Sequence, residues 1–98
     1  MIKRTVKNGY YMTTMYFDAV LKDHPSSQCG VIFDNGVVHF YSYSTRVISI
    51  YPNGEMECTG TYSQTTRKQI GWFLKEYAPH LSYYDMKAIA GKGIVKIA

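Results

Sequence analysis

The densest grouping of side chains able to do chemistry in this 98-residue chain is Tyr62-Ser63-Gln64-Thr65-Thr66-Arg67-Lys68. Ser63 is a natural helix N-cap, because its oxygen can accept from a free N–H of the first turn. A helix starting there would gather free backbone N–H groups, three hydroxyls (Ser63, Thr65, Thr66) and two cations in one place. Such a cluster could hold a phosphate or carboxylate, each favourable charge contributing on the order of 0.3–1 kcal/mol. The plainer reading is that Ser63 only caps, while Thr65 and Thr66 pack against a sheet. A second grouping is Tyr41-Ser42-Tyr43-Ser44-Thr45-Arg46. Strand alternation would put Tyr41 and Tyr43 on one face with His39 in line. Aromatics beside cations can stack unpaired bases, whereas a tyrosine face under a helix is ordinarily core.

The other reactive types do not form a constellation. His24, His39 and His80 lie far apart, and none has a second ligand at metal spacing. Glu55 and Glu57 share a strand face that should point to water. Neither Cys29 nor Cys58 carries a signature of thiol activation. Gly91-Lys92-Gly93 resembles a phosphate cradle only in part and reads better as a helix end. Binding is therefore expected rather than catalysis, with no metal site and no cofactor.

Composition bounds the partner. The chain is 46% apolar and 18% charged, as expected for one globular domain spanning 1–98. Ten tyrosines stand against four phenylalanines and one tryptophan, and tyrosine suits either a half-wet sheet or a contact surface. The formal charge is +4, and it is unevenly spread. Lys3, Arg4 and Lys7 open the chain, and Arg67, Lys68, Lys75, Lys87, Lys92 and Lys96 close it, with most acids between. If the ends met, one face would attract nucleic acid or an acidic protein. Met1-Ile2-Lys3-Arg4-Thr5 lacks the apolar run of a signal peptide, and no run is long enough to span a membrane. The two cysteines read as free thiols in a reducing, cytoplasmic setting.

The elements that must hold these groups follow from periodicity. Residues 2–6 favour a strand closing at Asn8-Gly9. Thr13 or Thr14 could cap a short helix over Met15–Lys22, with a strand as the competing reading there. Cys29–Phe33 and Val37–Tyr43 flank the turn Asp34-Asn35-Gly36. Arg46–Tyr51 follows, then Pro52-Asn53-Gly54 and Glu55–Thr61, where Met56, Cys58 and Gly60 alternate with polar residues. The period then changes: Thr66, Ile70, Phe73, Leu74 and Tyr77 recur at helical spacing until Ala78-Pro79. A second helix runs from Ser82 through Tyr83 to about Ala90, with Asp85 placed to complete a capping box and Gly91 to end it. Ile94–Ile97 could form a last strand. The expected fold is a single α+β domain, an antiparallel meander of four to five strands with two or three helices on one face.

Two of these segments carry a resemblance. The strand Tyr41-Ser42-Tyr43-Ser44-Thr45-Arg46-Val47-Ile48, followed by Gly60-Thr61-Tyr62-Ser63-Gln64-Thr65-Thr66-Arg67-Lys68-Gln69-Ile70-Gly71-Trp72-Phe73-Leu74, resembles a family of small proteins of phages and other mobile elements in Gram-positive bacteria. That family often has His where this chain has Gln69. The likeness covers roughly residues 36–78 and implies a mobile-element origin and a cytoplasmic setting in the host cell.

Taken together, the first expectation is a non-enzymatic phage or prophage protein that binds and modulates a host protein or defence complex. The surface expected to do so includes Tyr41, Tyr43, Arg46, Ser63, Thr65, Thr66, Arg67 and Lys68. One alternative is a nucleic-acid module using the basic termini, Arg46, Arg67 and Lys68. Another is a binder of a small phosphorylated or nucleotide ligand at the Ser63–Lys68 helix start. Exposed sheet edges also allow a homodimer.

Overall fold

A computed structural model of the chain describes residues 2–7, 10–15, 17–25 and 28–97, with side chains from Phe17 onward. The strands are β1 (Ile2–Lys7), β2 (Tyr10–Met15), β3 (Cys29–Asp34), β4 (Val37–Ser42), β5 (Thr45–Ile50), β6 (Glu55–Cys58) and β7 (Ile94–Lys96). Helices α1 (Gln64–Tyr77) and α2 (Tyr83–Ile89) lie between β6 and β7. Strands β3 to β7 form one antiparallel sheet in sequence order, with the two helices on one face, so the domain is a two-layer α+β fold as expected. Strands β1 and β2 pair with each other in a separate two-stranded sheet. The turn expected at Asn8-Gly9 lies outside the described residues, as do the side chains of Lys3, Arg4 and Lys7.

The hairpin signals act as their chemistry requires. Asn35 (φ 51°) and Gly36 (φ 80°) are both left-handed, which is the type I′ pattern whose twist matches the flanking strands. Asn53 locks the next turn, its amide side chain bonding the Glu55 carboxylate (2.6 Å) and accepting from the Glu55 N–H (3.0 Å). Val31, Phe40, Ile48 and Cys58 line the sheet face under α1, which contributes Ile70, Phe73 and Leu74. Phe73 stacks on Phe40 at 4.7 Å between ring centres. Met86 of α2 joins the same core. Ser63 caps α1 by accepting from the Thr66 N–H (3.3 Å). The Asp85 carboxylate accepts from the Ser82 N–H (2.7 Å), the half of a capping box read from its spacing.

Three expectations need correction. The helix over Met15–Lys22 does not form: Met15 ends β2, Tyr16 lies outside the described residues, and 17–25 is an irregular strap along the edge of β3. Its burial alternates, with Leu21 in the core and Asp18 and Val20 outward, so the period is that of a strand. Ala19 bridges Val31, and the Asp18 carboxylate accepts from the Phe33 N–H (2.8 Å), so the edge of β3 is already paired. The close approach is possible because residue 30 is glycine: a Cβ there would lie 2.4 Å from the Phe17 ring. Second, β4 ends at Ser42 and not Tyr43, because Tyr43 (φ 56°) turns the chain into β5. Third, β6 stops at Cys58.

Candidate functional site

The register of β4 decides which side chains can meet. Phe40 and Ser42 face α1, so His39 and Tyr41 fall on the sheet face away from the helices. The expected in-line row of His39, Tyr41 and Tyr43 is broken at Tyr43, whose backbone leaves the strand. Arg46 pairs with Tyr41 across a bulge and shares that outer face. Arg46 is committed there: its Nη1 donates to Glu57 Oε1 (2.9 Å) and to Ser49 Oγ (2.7 Å). Glu57 therefore does not simply point to water. His39 Nδ1 lies 2.7 Å from the same Ser49 oxygen. Because that oxygen accepts from Arg46, its own hydroxyl proton is satisfied by donating to a neutral imidazole. Burial, and then the positive charge of Arg46, hold His39 below its ordinary value, with Asp34 and Glu57 opposing in part. The network is closed, with Ser49 fully buried inside it.

The helix start divides its residues differently. Thr66 points inward, where its hydroxyl lies 3.3 Å from Ser63 Oγ and 3.5 Å from Ser42 Oγ. Gln69 is also inside, accepting from the Ser42 hydroxyl. Ser63 caps, and so the plainer reading holds for Ser63 and Thr66. Thr65, Arg67 and Lys68 are exposed on the outer side of α1. There they border two adjoining cavities. The larger, about 430 Å³, is lined by Gln64, Arg67, Lys68, Gly71, Trp72 and Tyr83. The smaller, about 270 Å³, includes Thr65, His24, Pro25 and Gln28. Lys68 and Trp72 line both, so the two cavities adjoin across this pair and together make up the groove of α1.

Three features give this groove its character. It is aromatic: the His24 ring stacks on Trp72 at 3.9 Å and 12°, and Tyr83 forms the far wall. It is cationic, and among the described residues no Asp or Glu lines it. Nor, among those residues, do Arg67 or Lys68 form an ion pair. Arg67 is instead held by rings, its guanidinium 4.6 Å from the centre of Tyr83 and its Nη2 donating to the Tyr84 hydroxyl (3.2 Å). Third, its lining includes Gly71, a glycine inside a helix, where it costs about 1 kcal/mol relative to alanine. Among the described residues no atom lies within 4 Å of where a Cβ would stand, so their packing does not demand the glycine.

A model described as a family of unknown function (DUF8033) matches residues 12–88, from β2 through α2. The chain belongs to that family. The matched span contains every residue of the groove. No curated protein and no solved structure matches the chain.

Sequence reasoning found Thr65, Arg67 and Lys68 but missed His24, Gln64, Gly71, Trp72 and Tyr83. The usable signal was the outer stripe of α1, where residues 64, 67, 68, 71 and 72 recur at helical spacing. Cys29 lines the smaller cavity and Cys58 lines neither; both are free and buried, and burial pushes both thiols up. Among the described residues no three His, Cys, Asp or Glu could hold a metal ion, and no helix is long and apolar enough to cross a membrane.

Proposed function

We propose that this protein acts by binding, and that the groove along α1 takes single-stranded nucleic acid. The observation that carries the reading is the aromatic, acid-free lining, with Trp72 and Tyr83 beside Arg67 and Lys68. Single strands are held by this combination elsewhere in proteins, because every base has a face to stack and every linkage a phosphate to neutralise. Ser49 is sealed inside its network and the thiols are kept protonated by burial.

The test is anisotropy of a labelled single-stranded oligonucleotide across a salt series. Two phosphate contacts, at Arg67 and Lys68, give a slope of log affinity against log salt of about −1.4. Affinity that ignores salt, or that is equal for duplex and single strand, contradicts the reading.

One observation favours a second reading, a phage or mobile-element protein that modulates a host protein. Tyr43 and Tyr62 are held at φ 56° and 52°, a strained conformation for a large side chain, yet the two residues are 52% and 60% exposed. Both flank the start of α1, and aromatic anchors of this kind dominate protein interfaces. A tagged pull-down from a Gram-positive lysate, with and without nuclease, separates the two. A protein captured despite nuclease and lost in Tyr43→Ser/Tyr62→Ser supports the second reading.

A further inference from the structure

We infer that the groove is a two-nucleotide site, in which one base enters over Gly71 between Trp72 and Tyr83, the next sits beside His24, and the phosphate joining them lies at Lys68. The inference rests on the single-strand reading above and adds to it a register. It follows from how the two cavities are joined. They are separate volumes of about 430 and 270 Å³ that share two residues, one a cation and one an indole. An occupant passing from one to the other must cross Lys68, so its charge belongs at the crossing and its apolar parts on either side. A single strand has that alternation, with a phosphate between each pair of bases.

Gly71 supplies the independent observation. Helix propensity disfavours it, and among the described residues no close neighbour requires it. What its missing side chain does provide is depth in the larger cavity, between a tryptophan and a tyrosine. Gln64 stands on the same wall with an amide able to meet a base edge. Arg67 is fixed by Tyr83 and Tyr84 at this end, where it can meet the phosphate on the outer side of the first nucleotide. In the smaller cavity His24 already lies parallel to Trp72, so the flat wall on which a second base would rest is in place.

The experiment uses the full chain and the fluorescence of Trp72, its only tryptophan, titrated with mono-, di- and tetrathymidylate. Dithymidylate should bind roughly tenfold or more tighter than the mononucleotide, because a second base stacks and one phosphate is clamped. Beyond two nucleotides the gain should be small. Gly71→Leu, at an exposed helical position, should lower dithymidylate affinity at least tenfold with its melting temperature maintained. Lys68→Gln should remove most of the gain from the second nucleotide while leaving the mononucleotide nearly unaffected. Equal binding of one and two nucleotides, or full affinity in Gly71→Leu, overturns the two-nucleotide site, even if a longer strand still binds. If no strand of any length binds, the single-strand reading itself has failed, and the inference with it.

Discussion

Arg46 and Arg67 carry the same guanidinium in opposite circumstances, one on the sheet face away from the helices and the other on the outer face of α1. Arg46 meets a carboxylate at 2.9 Å and a buried hydroxyl at 2.7 Å, in a network that also takes in His39. Among the described residues the Arg67 guanidinium meets tyrosines and no acid, and its neighbour Lys68 has no ion-pair partner. On the outer sheet face the charge of Arg46 is saturated, and that role accounts for the residue. On α1, Lys75 lies 3.9 Å from the Asp23 carboxylate, but Arg67 and Lys68 have no acidic partner among the described residues, and they border an aromatic groove whose lining includes Gly71. Residue type is identical in the two places; the difference is whether the charge already has its counterpart.

The largest effect that could break this comparison is on binding. Arg67→Gln/Lys68→Gln should weaken single-strand affinity ten- to a hundredfold, about 1.4–2.7 kcal/mol, and flatten its salt dependence. Arg46→Gln should change it little, and an equal loss from both would show that the two cations are equivalent. Stability should respond in reverse. Glu57→Gln leaves Arg46 half-buried beside a weaker acceptor and should cost about 1–2 kcal/mol in urea unfolding, whereas Lys68→Gln should cost almost nothing.

Gly71→Ala sharpens the comparison from the other side. It should raise stability by about 1 kcal/mol, since no neighbour opposes the methyl group and the helix favours it. A loss of stability would mean that the glycine is structural. The smallest effect is on pH dependence. His39 in the folded chain lies below its ordinary value, so the unfolded chain takes up its proton first as pH falls. The stabilisation is complete above the ordinary histidine value near 6.5 and is lost as pH falls through the lower folded one. Thermal melts from neutral to mildly acidic pH should show this slope in the wild type and a shallower one in His39→Asn.

The meander and both helices were legible in the sequence because each carries its own local signal. Asn35-Gly36 accepts left-handed backbone, Ser63 and Asp85 cap, and the apolar period changes from two to helical at Thr66. The strap was legible only as the competing strand reading over Met15–Lys22, since Phe17, Ala19 and Leu21 form a strand-like row because β3 offers them an edge and Gly30 makes room. Tyr43 gave no turn signal: tyrosine is rare at positive φ, and what holds it there includes its N–H bond to the Gln28 carbonyl (2.5 Å), from a distant segment. The candidate site was legible by half. Arg67 and Lys68 announce themselves by charge, and their place on the outer helix face follows from periodicity. His24, Trp72 and Tyr83 come from three elements, and only tertiary packing brings them around Gly71. Arg46 misled for the same reason, because its partner Glu57 stands on another strand.

One titration tests whether the groove is the place where a single strand binds. Trp72 is the chain's only tryptophan and lines both cavities, so its emission reports occupancy without a label. With an oligothymidylate long enough to fill the groove, the account expects saturable quenching that weakens as salt is raised and is much reduced in Arg67→Gln/Lys68→Gln. Unchanged Trp72 emission while the strand demonstrably binds would place the nucleic acid elsewhere on the molecule and contradict the account.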